Sequence, residues 1–247
     1  MNKIVVRAVS VKGPAHEQKN IHCQDCFRYK HGRNFVAVVS DGAGSAKHGK
    51  KGAKIVCETL TDLLANCDFE FVKEEVIRAI HIAREKIIFH RNNKSKSEKH
   101  LFEFAATVVG AVVYDGQGIF FHIGDGAGIA FGDKGHIISR PENGNFSCET
   151  FFYTMDEWKR SLRFVRFEDT DTIFLMSDGV TCFALADECS KIADKFVLPI
   201  NEFLKNEKMR GKALKALENT LNNPQARKIN SDDKTLLWAR WQHRMNF

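Results

Sequence analysis

Apolar residues recur along this chain with two periods. Alternating or continuously apolar runs rich in β-branched residues cover Lys3 to Val11, Phe35 to Ser40, Ala105 to Val113, Gly118 to Ile123, Gly128 to Phe131, Arg163 to Phe167, Thr172 to Ser177 and Thr235 to Arg240, and they predict strands. Between Lys47 and Asn66 the spacing becomes helical: Ala53, Val56, Leu60, Leu63 and Leu64 fall on one face. A second stripe, Val72, Val76, Ile80, Ala83 and Ile87, follows at once, with Asp68 placed to accept early backbone amides as a cap. Glu188 to Val197 and Met209 to Leu221 read as two further helices, parted by Pro199 and a polar stretch.

Strands come in blocks and helices in pairs, so regular βαβ alternation is excluded. The close runs between 105 and 131 call for short hairpin connections and hence antiparallel pairing. The expectation is an α+β fold: a four-layer αββα sandwich of two antiparallel sheets flanked by helices, in one domain over residues 1–247.

Three apolar runs end in Asp-Gly: "VVSDGAGS", "HIGDGAG" and "LMSDGV". Asp-Gly between two strands is ordinarily a hairpin turn, because Gly accepts positive φ and Asp bonds its own backbone. Asp115-Gly116 in "VYDGQG" is that plain case, and turn chemistry explains Asp125 equally well. Asp41 and Asp178 differ, since helix-like or irregular sequence follows them. The Gly-rich "DGAGSAKHGKKGA" lacks the spacing of a phosphate-binding loop or dinucleotide fingerprint. What it offers is a carboxylate beside a glycine whose carbonyl can approach a ligand. Carboxylates and carbonyls are hard donors suited to Mg²⁺ or Mn²⁺, and several aspartates gathered without a cation would repel one another. A divalent-metal site follows, with Asp25 in "HCQDC" and the Asp232-Asp233 pair as further acids.

Composition narrows the alternatives. A chain of 247 residues, 43% hydrophobic, can bury a large core, and the longest apolar run, "FAATVVGAVVY", is about half a membrane span. No secretory leader pattern opens the sequence, and seven scattered cysteines suit a reducing compartment, so a cytoplasmic protein is expected. The net charge of +6 is dispersed, and its densest cluster, "RNNKSKSEKH", carries no interleaved aromatics, which argues against nucleic acid and for a solvated loop. Cys23 and Cys26, near His16, His22 and His31, have a metal-ligand spacing but no second pair; packed thiols are the expectation.

Taken in order, "CQD", "SDGAG", "FAATVVGAVV", "IGDG", "MSDGV" and "SDDKTLL" resemble the metal-dependent protein phosphatases of type 2C over residues 8 to 240. The resemblance implies two central antiparallel sheets and two Mn²⁺ or Mg²⁺ ions at one end of the sandwich. It implies Asp41 as bridging carboxylate, the Gly42 carbonyl as a second-metal ligand, and Asp25 as an acid holding metal-bound water directly or through a second shell. Asp178 and Asp232 are further ligands, and Asp125 belongs to a possible third site, although Cys182 stands where another acid is common. The family's phosphate-binding arginine has no counterpart: Asn20 occupies its place, with Lys19 and His22 nearby. Ala43 replaces a histidine frequent in eukaryotic members, and His48 is read as a surface helix residue.

The implied activity is hydrolysis of phosphoserine or phosphothreonine in a protein substrate, with a cognate kinase as a candidate further partner, by water activated between two cations, with Asp41 and Asp178 central to catalysis. A catalytically weak module that binds a phosphorylated partner is the rival; the missing arginine and Ala43 favour it, the retained acids oppose it.

Overall fold

The computed structural model describes residues 4–90, 98–142 and 150–241. Its elements begin with β1 (Ile4–Val11), α1 (Pro14–Gln18), β2 (Cys26–His31), β3 (Phe35–Ser40), α2 (Gly49–Leu64) and α3 (Val72–His90). Next come β4 (Val108–Tyr114), β5 (Gln117–Ile123), β6 (Ala127–Gly132), β7 (Gly135–Ser139), α4 (Trp158–Ser161), β8 (Arg163–Phe167), β9 (Thr170–Met176) and α5 (Asp178–Ala184). The chain continues through β10 (Leu185–Ala186), β11 (Lys191–Ile192), α6 (Asp194–Asn206), α7 (Arg210–Leu221), α8 (Pro224–Ile229) and β12 (Lys234–Trp241).

Two five-stranded antiparallel sheets, ordered β1-β12-β9-β6-β7 and β2-β3-β4-β5-β8, form the centre. β3 shows why its sequence is apolar throughout. Val36 and Val38 pack outward against Val56, Leu60 and Ile80 of α2 and α3, whereas Phe35, Ala37 and Val39 face the other sheet. All six residues of the strand are buried, so the polar-apolar alternation of a one-sided sheet disappears. On the opposite flank, α6 and α7 bring Val197, Ile200, Leu204, Ala213 and Leu217 onto Ile129, Phe174 and Trp238. The result is the αββα order expected from the pattern.

Several elements depart from the sequence expectations. Glu188 and Cys189 are not helical: with Asp187 they have positive φ and form the turn of the β10–β11 hairpin. The helix starts at Asp194 and passes through Pro199, because Val197, Ile200 and Leu204 are buried on one face, offsetting the lost hydrogen bond. β5 and β6 do not form a hairpin; they lie in different sheets, so Gly124-Asp125 is a crossing between layers. Asp115 and Gly116, with φ of 44° and 84°, do form the tight β4–β5 turn. β2, β7, α5 and α8 had no separate periodic signal. Asp68 caps a short 3-10 turn ahead of α3 by accepting from the Glu70 amide. Most of the basic cluster at 91–100 lies outside the described residues.

Candidate metal centre

Antiparallel pairing decides where the acids go. Cys26 pairs with Ser40, so Asp25, just before β2, and Asp41, just after β3, leave their sheet at the same edge. In the other sheet Leu236 pairs with Met176, which sets Asp232, ahead of β12, beside Asp178, behind β9. Ala127 also pairs with Met176, and this draws the β5–β6 crossing and Asp125 to that edge.

Backbone devices then hold each acid. Thr107 accepts from the Asp41 amide at 3.0 Å through Oγ1 and donates its own amide to the Asp41 carbonyl at 2.8 Å. A Cβ on Gly42 would lie 2.3 Å from the Gly49 backbone, so only glycine lets the loop close onto the start of α2. Ser177 joins the two sheets: its Oγ donates to Asp25 Oδ2 at 2.7 Å and accepts from the Thr235 amide at 2.9 Å. Buried Lys234 donates to the carbonyls of Asn230 (2.8 Å) and Asp232 (2.9 Å), clamping the turn before β12. Gly179 sits under that turn, where a Cβ would meet the Asp233 carbonyl oxygen at 1.9 Å. Gly179→Ala is therefore expected to destabilise the protein by about 2 kcal/mol or more, read as a lower urea midpoint with unchanged slope. Ser177→Ala, which strips a buried carboxyl of a donor, should cost about 1–2 kcal/mol in the same measurement.

The electrostatics of the cluster are unfavourable without a counter-ion. Burial pushes the Asp25 carboxyl up to about 6. Burial first, and then the charges of Asp25, Asp178 and Asp232, hold Asp41 well above the carboxylate range. Asp178 is raised in the same way by burial and by Asp125, Asp232 and Asp25. Asp125 is raised by burial and by Asp232, partly offset by a 2.6 Å hydrogen bond donated by Thr150. Asp25 and Asp41, set side by side by the Cys26–Ser40 pairing, act on one another electrostatically, a repulsion that a proton or a cation between them relieves. One buried oxygen each on Asp25, Asp125 and Asp178 has no partner. Five converging acids, three of them with an unpaired hard oxygen, fit a divalent cation.

Asp125 thus stands with Asp25, Asp41, Asp178 and Asp232, as part of one cluster. Gln24, with its amide nitrogen turned inward, donates to the Gly42 carbonyl at 2.7 Å and the Ala43 carbonyl at 3.0 Å, and the Gly42 oxygen retains a second lone pair.

Asp233 does a different job from its neighbour. Its Oδ1 accepts from the Gly13 amide at 2.7 Å, and its Oδ2 from the Gln24 amide at 2.6 Å and from His16 Nδ1 at 2.8 Å. His16, Asp232 and Asp233 bring donor atoms within 4.8 Å of one another, but the Asp233 oxygens are already occupied by those three donors, so Asp232 is the available carboxylate. Sequence reasoning missed the work of His16, Thr107, Ser177 and Asp233, and their contacts join segments far apart along the chain. Lys19 and His22 are exposed, and Asn20 occupies a turn with φ of 53°. His48 precedes α2 and lies against the Phe104 ring. Cys23 and Cys26 are unpaired, and His31 closes β2 at its far end.

Residues 12–228 match the family described as protein phosphatase 2C. The chain belongs to the protein phosphatase 2C family. Its fold is similar to that of a bacterial serine phosphatase, with a TM-score of 0.69 at 14% identity, covering 97% of this chain and 98% of that one. The Staphylococcus aureus serine/threonine phosphatase Stp1 aligns with a TM-score of 0.65 at 15% identity, over 98% of this chain and 96% of its own. The catalytic domain of the serine threonine protein phosphatase PstP, in complex with two manganese ions, gives a TM-score of 0.65 at 15% identity, over 97% and 99%. At such identities the likeness is one of protein phosphatase 2C fold. No curated protein matches the chain by sequence. Among the described residues no helix is long and apolar enough to cross a membrane.

Proposed function

We propose that this member of the family is a metal-dependent phosphatase of phosphoserine and phosphothreonine in proteins, acting as one domain. The observation that carries the reading is the convergence of Asp25, Asp41, Asp125, Asp178 and Asp232 at one edge of the sandwich, with unpartnered buried oxygens on Asp25, Asp125 and Asp178 and the carboxyls of Asp25, Asp41, Asp125 and Asp178 raised by burial. Two Mn²⁺ or Mg²⁺ ions would be held by Asp41, as the carboxylate shared between them, together with Asp25, Asp178, Asp232 and the Gly42 carbonyl. Asp125 is the candidate ligand of a third. That PstP was obtained with two manganese ions supports the count.

When bound, such ions acidify water and neutralise charge on the phosphoryl group. The chain's own residues prepare the site. Ser177, shared between the Asp25 carboxyl and the Thr235 amide, fixes the two sheets in register. Thr107 holds the backbone of Asp41 from both sides. The Lys234 clamp and the glycine contact under Asp233 aim the Asp232 turn inward. Cys23, the thiol beside the acids, is unsuited as a nucleophile: burial and the nearby Asp25 and Asp233 push it upward, away from the thiolate such chemistry requires.

The reading is tested by hydrolysis of an aryl phosphate with added Mn²⁺. Turnover that appears with Mn²⁺ and disappears with a chelator is expected. Metal binding without turnover on aryl phosphate or any phosphopeptide would instead identify a binding module.

A further inference from the structure

The family's phosphate-binding arginine has no counterpart here, and the basic side chains that the sequence placed near it, Lys19 and His22, are exposed. A buried basic group stands at the acid cluster instead. His16, on α1, is 8% exposed, which for an imidazole amid carboxyl groups requires explanation. Its Nδ1 lies 2.8 Å from Asp233 Oδ2. A carboxylate only accepts, so Nδ1 carries a hydrogen, and Nε2 is left for another partner. The Gly13 and Gln24 amides pin the same carboxylate, so the ring has a fixed anchor.

The direction of Nε2 follows from Gly44. A Cβ built there would find Nε2 at 3.6 Å and, apart from the flanking Ala43 and Ser45, no other heavy atom of the described residues within 4 Å. Gly44 is exposed and belongs to the loop that carries Asp41 and Gly42. A ring nitrogen of His16 lies within 4.8 Å of an Asp232 carboxylate oxygen, and the Asp232 charge acts on Asp41, Asp125 and Asp178. Nε2 therefore stands at the rim of the acid cluster, facing space that is open because residue 44 has no side chain.

We propose that His16 is the phosphoryl-anchoring residue of this protein: held through Nδ1 by Asp233, it presents Nε2 as the hydrogen-bonding partner of a non-bridging oxygen of the substrate phosphate. The inference rests on the phosphatase reading above. A single donor replaces the two-pronged grip of a guanidinium, so the interaction governs substrate affinity more than turnover.

The test is calorimetric titration of the Mn²⁺-loaded full chain with inorganic phosphate, which needs no turnover. In His16→Gln the side-chain amide can still donate to Asp233, and the variant is expected to keep its melting temperature and Mn²⁺ affinity. Its phosphate Kd should rise about tenfold. In the aryl phosphate assay KM should rise by the same factor, with kcat changed less than about threefold. Gly44→Leu leaves His16 in place and fills the space before Nε2; it should weaken phosphate to a similar extent, and it serves if the histidine variant does not fold. Unchanged phosphate affinity in both variants would overturn the proposal, leaving His16 a structural tie. A parallel loss of Mn²⁺ affinity in His16→Gln would overturn it too, marking the histidine as a metal ligand. Wild-type protein that binds Mn²⁺ and phosphate but never hydrolyses an ester would defeat the phosphatase reading alone.

Discussion

Asp178→Asn is expected to lower Mn²⁺-dependent hydrolysis of an aryl phosphate about a thousandfold in kcat/KM, because the lost ligand charge removes several kcal/mol of electrostatic stabilisation from the transition state. The same substitution should stabilise the metal-free protein. Asp178 is raised by burial and by three other acids, Asp125, Asp232 and Asp25, so a neutral group of equal shape removes desolvation and repulsion together. A rise of about 2–4 °C in melting temperature per kcal/mol relieved is anticipated for the chelated variant at neutral pH. Loss of activity with gain of stability separates a functional acid from a structural one. Activity that survives both the substitution and chelation would refute the metal-dependent reading. Wild type and variant should be compared at several Mn²⁺ concentrations, so that weakened binding is not read as slower chemistry.

Mn²⁺ should raise the melting temperature strongly at pH 7.5 and hardly at all at pH 4.5. The Asp25 carboxyl titrates at about 6 in the folded chain against an ordinary 3.8, so the native state holds its proton more tightly than the unfolded state. Stability from this group is present in full below about pH 4 and is lost as pH rises through about 6, a decline of a few kcal/mol. Asp41 and Asp178 shift in the same direction and add to it. Metal-free protein therefore loses stability towards neutrality from these groups, where ionised carboxylates accumulate without a partner. Saturating Mn²⁺ reverses the loss: at about a thousand times Kd, binding contributes about 4 kcal/mol, roughly 10 °C for a domain of this size. Protons and metal compete for the same oxygens, so the benefit fades in acid. Scanning calorimetry with chelator and with Mn²⁺ at both pH values reads the effect, and equal melting temperatures at pH 7.5 would count against a cation at this cluster.

Much of the fold was legible because burial leaves a periodic trace. β3 is apolar on both faces, and the α2 and α3 stripes repeat Val56, Leu60, Val76 and Ile80 at helical spacing, since each contacts one sheet. The region after α5 was misread for a physical reason. Glu188 and Cys189 carry no glycine to announce positive φ, and Pro199 normally ends a helix that packing on Trp238 and Phe174 sustains here. Asp125 shows the limit of local reading. Its Gly-Asp-Gly reads as a hairpin like Asp115-Gly116, and only the passage of the chain from one sheet to the other separates the two.

The sequence by itself determined the two-sheet, helix-flanked architecture and named the acids that end or precede strands, because hydrophobic period and turn chemistry are local properties. Tertiary structure alone decided that these acids meet, since Asp25 and Ser177 touch across 152 residues of chain. It also decided that adjacent Asp232 and Asp233 have different work: one carboxylate spends a single oxygen on the Asp233 amide and keeps the other, whereas the second is tied through both oxygens, to His16 across 217 residues among others. Side-chain partners depend on strand register and layer stacking, and neither leaves a mark within any short stretch of sequence.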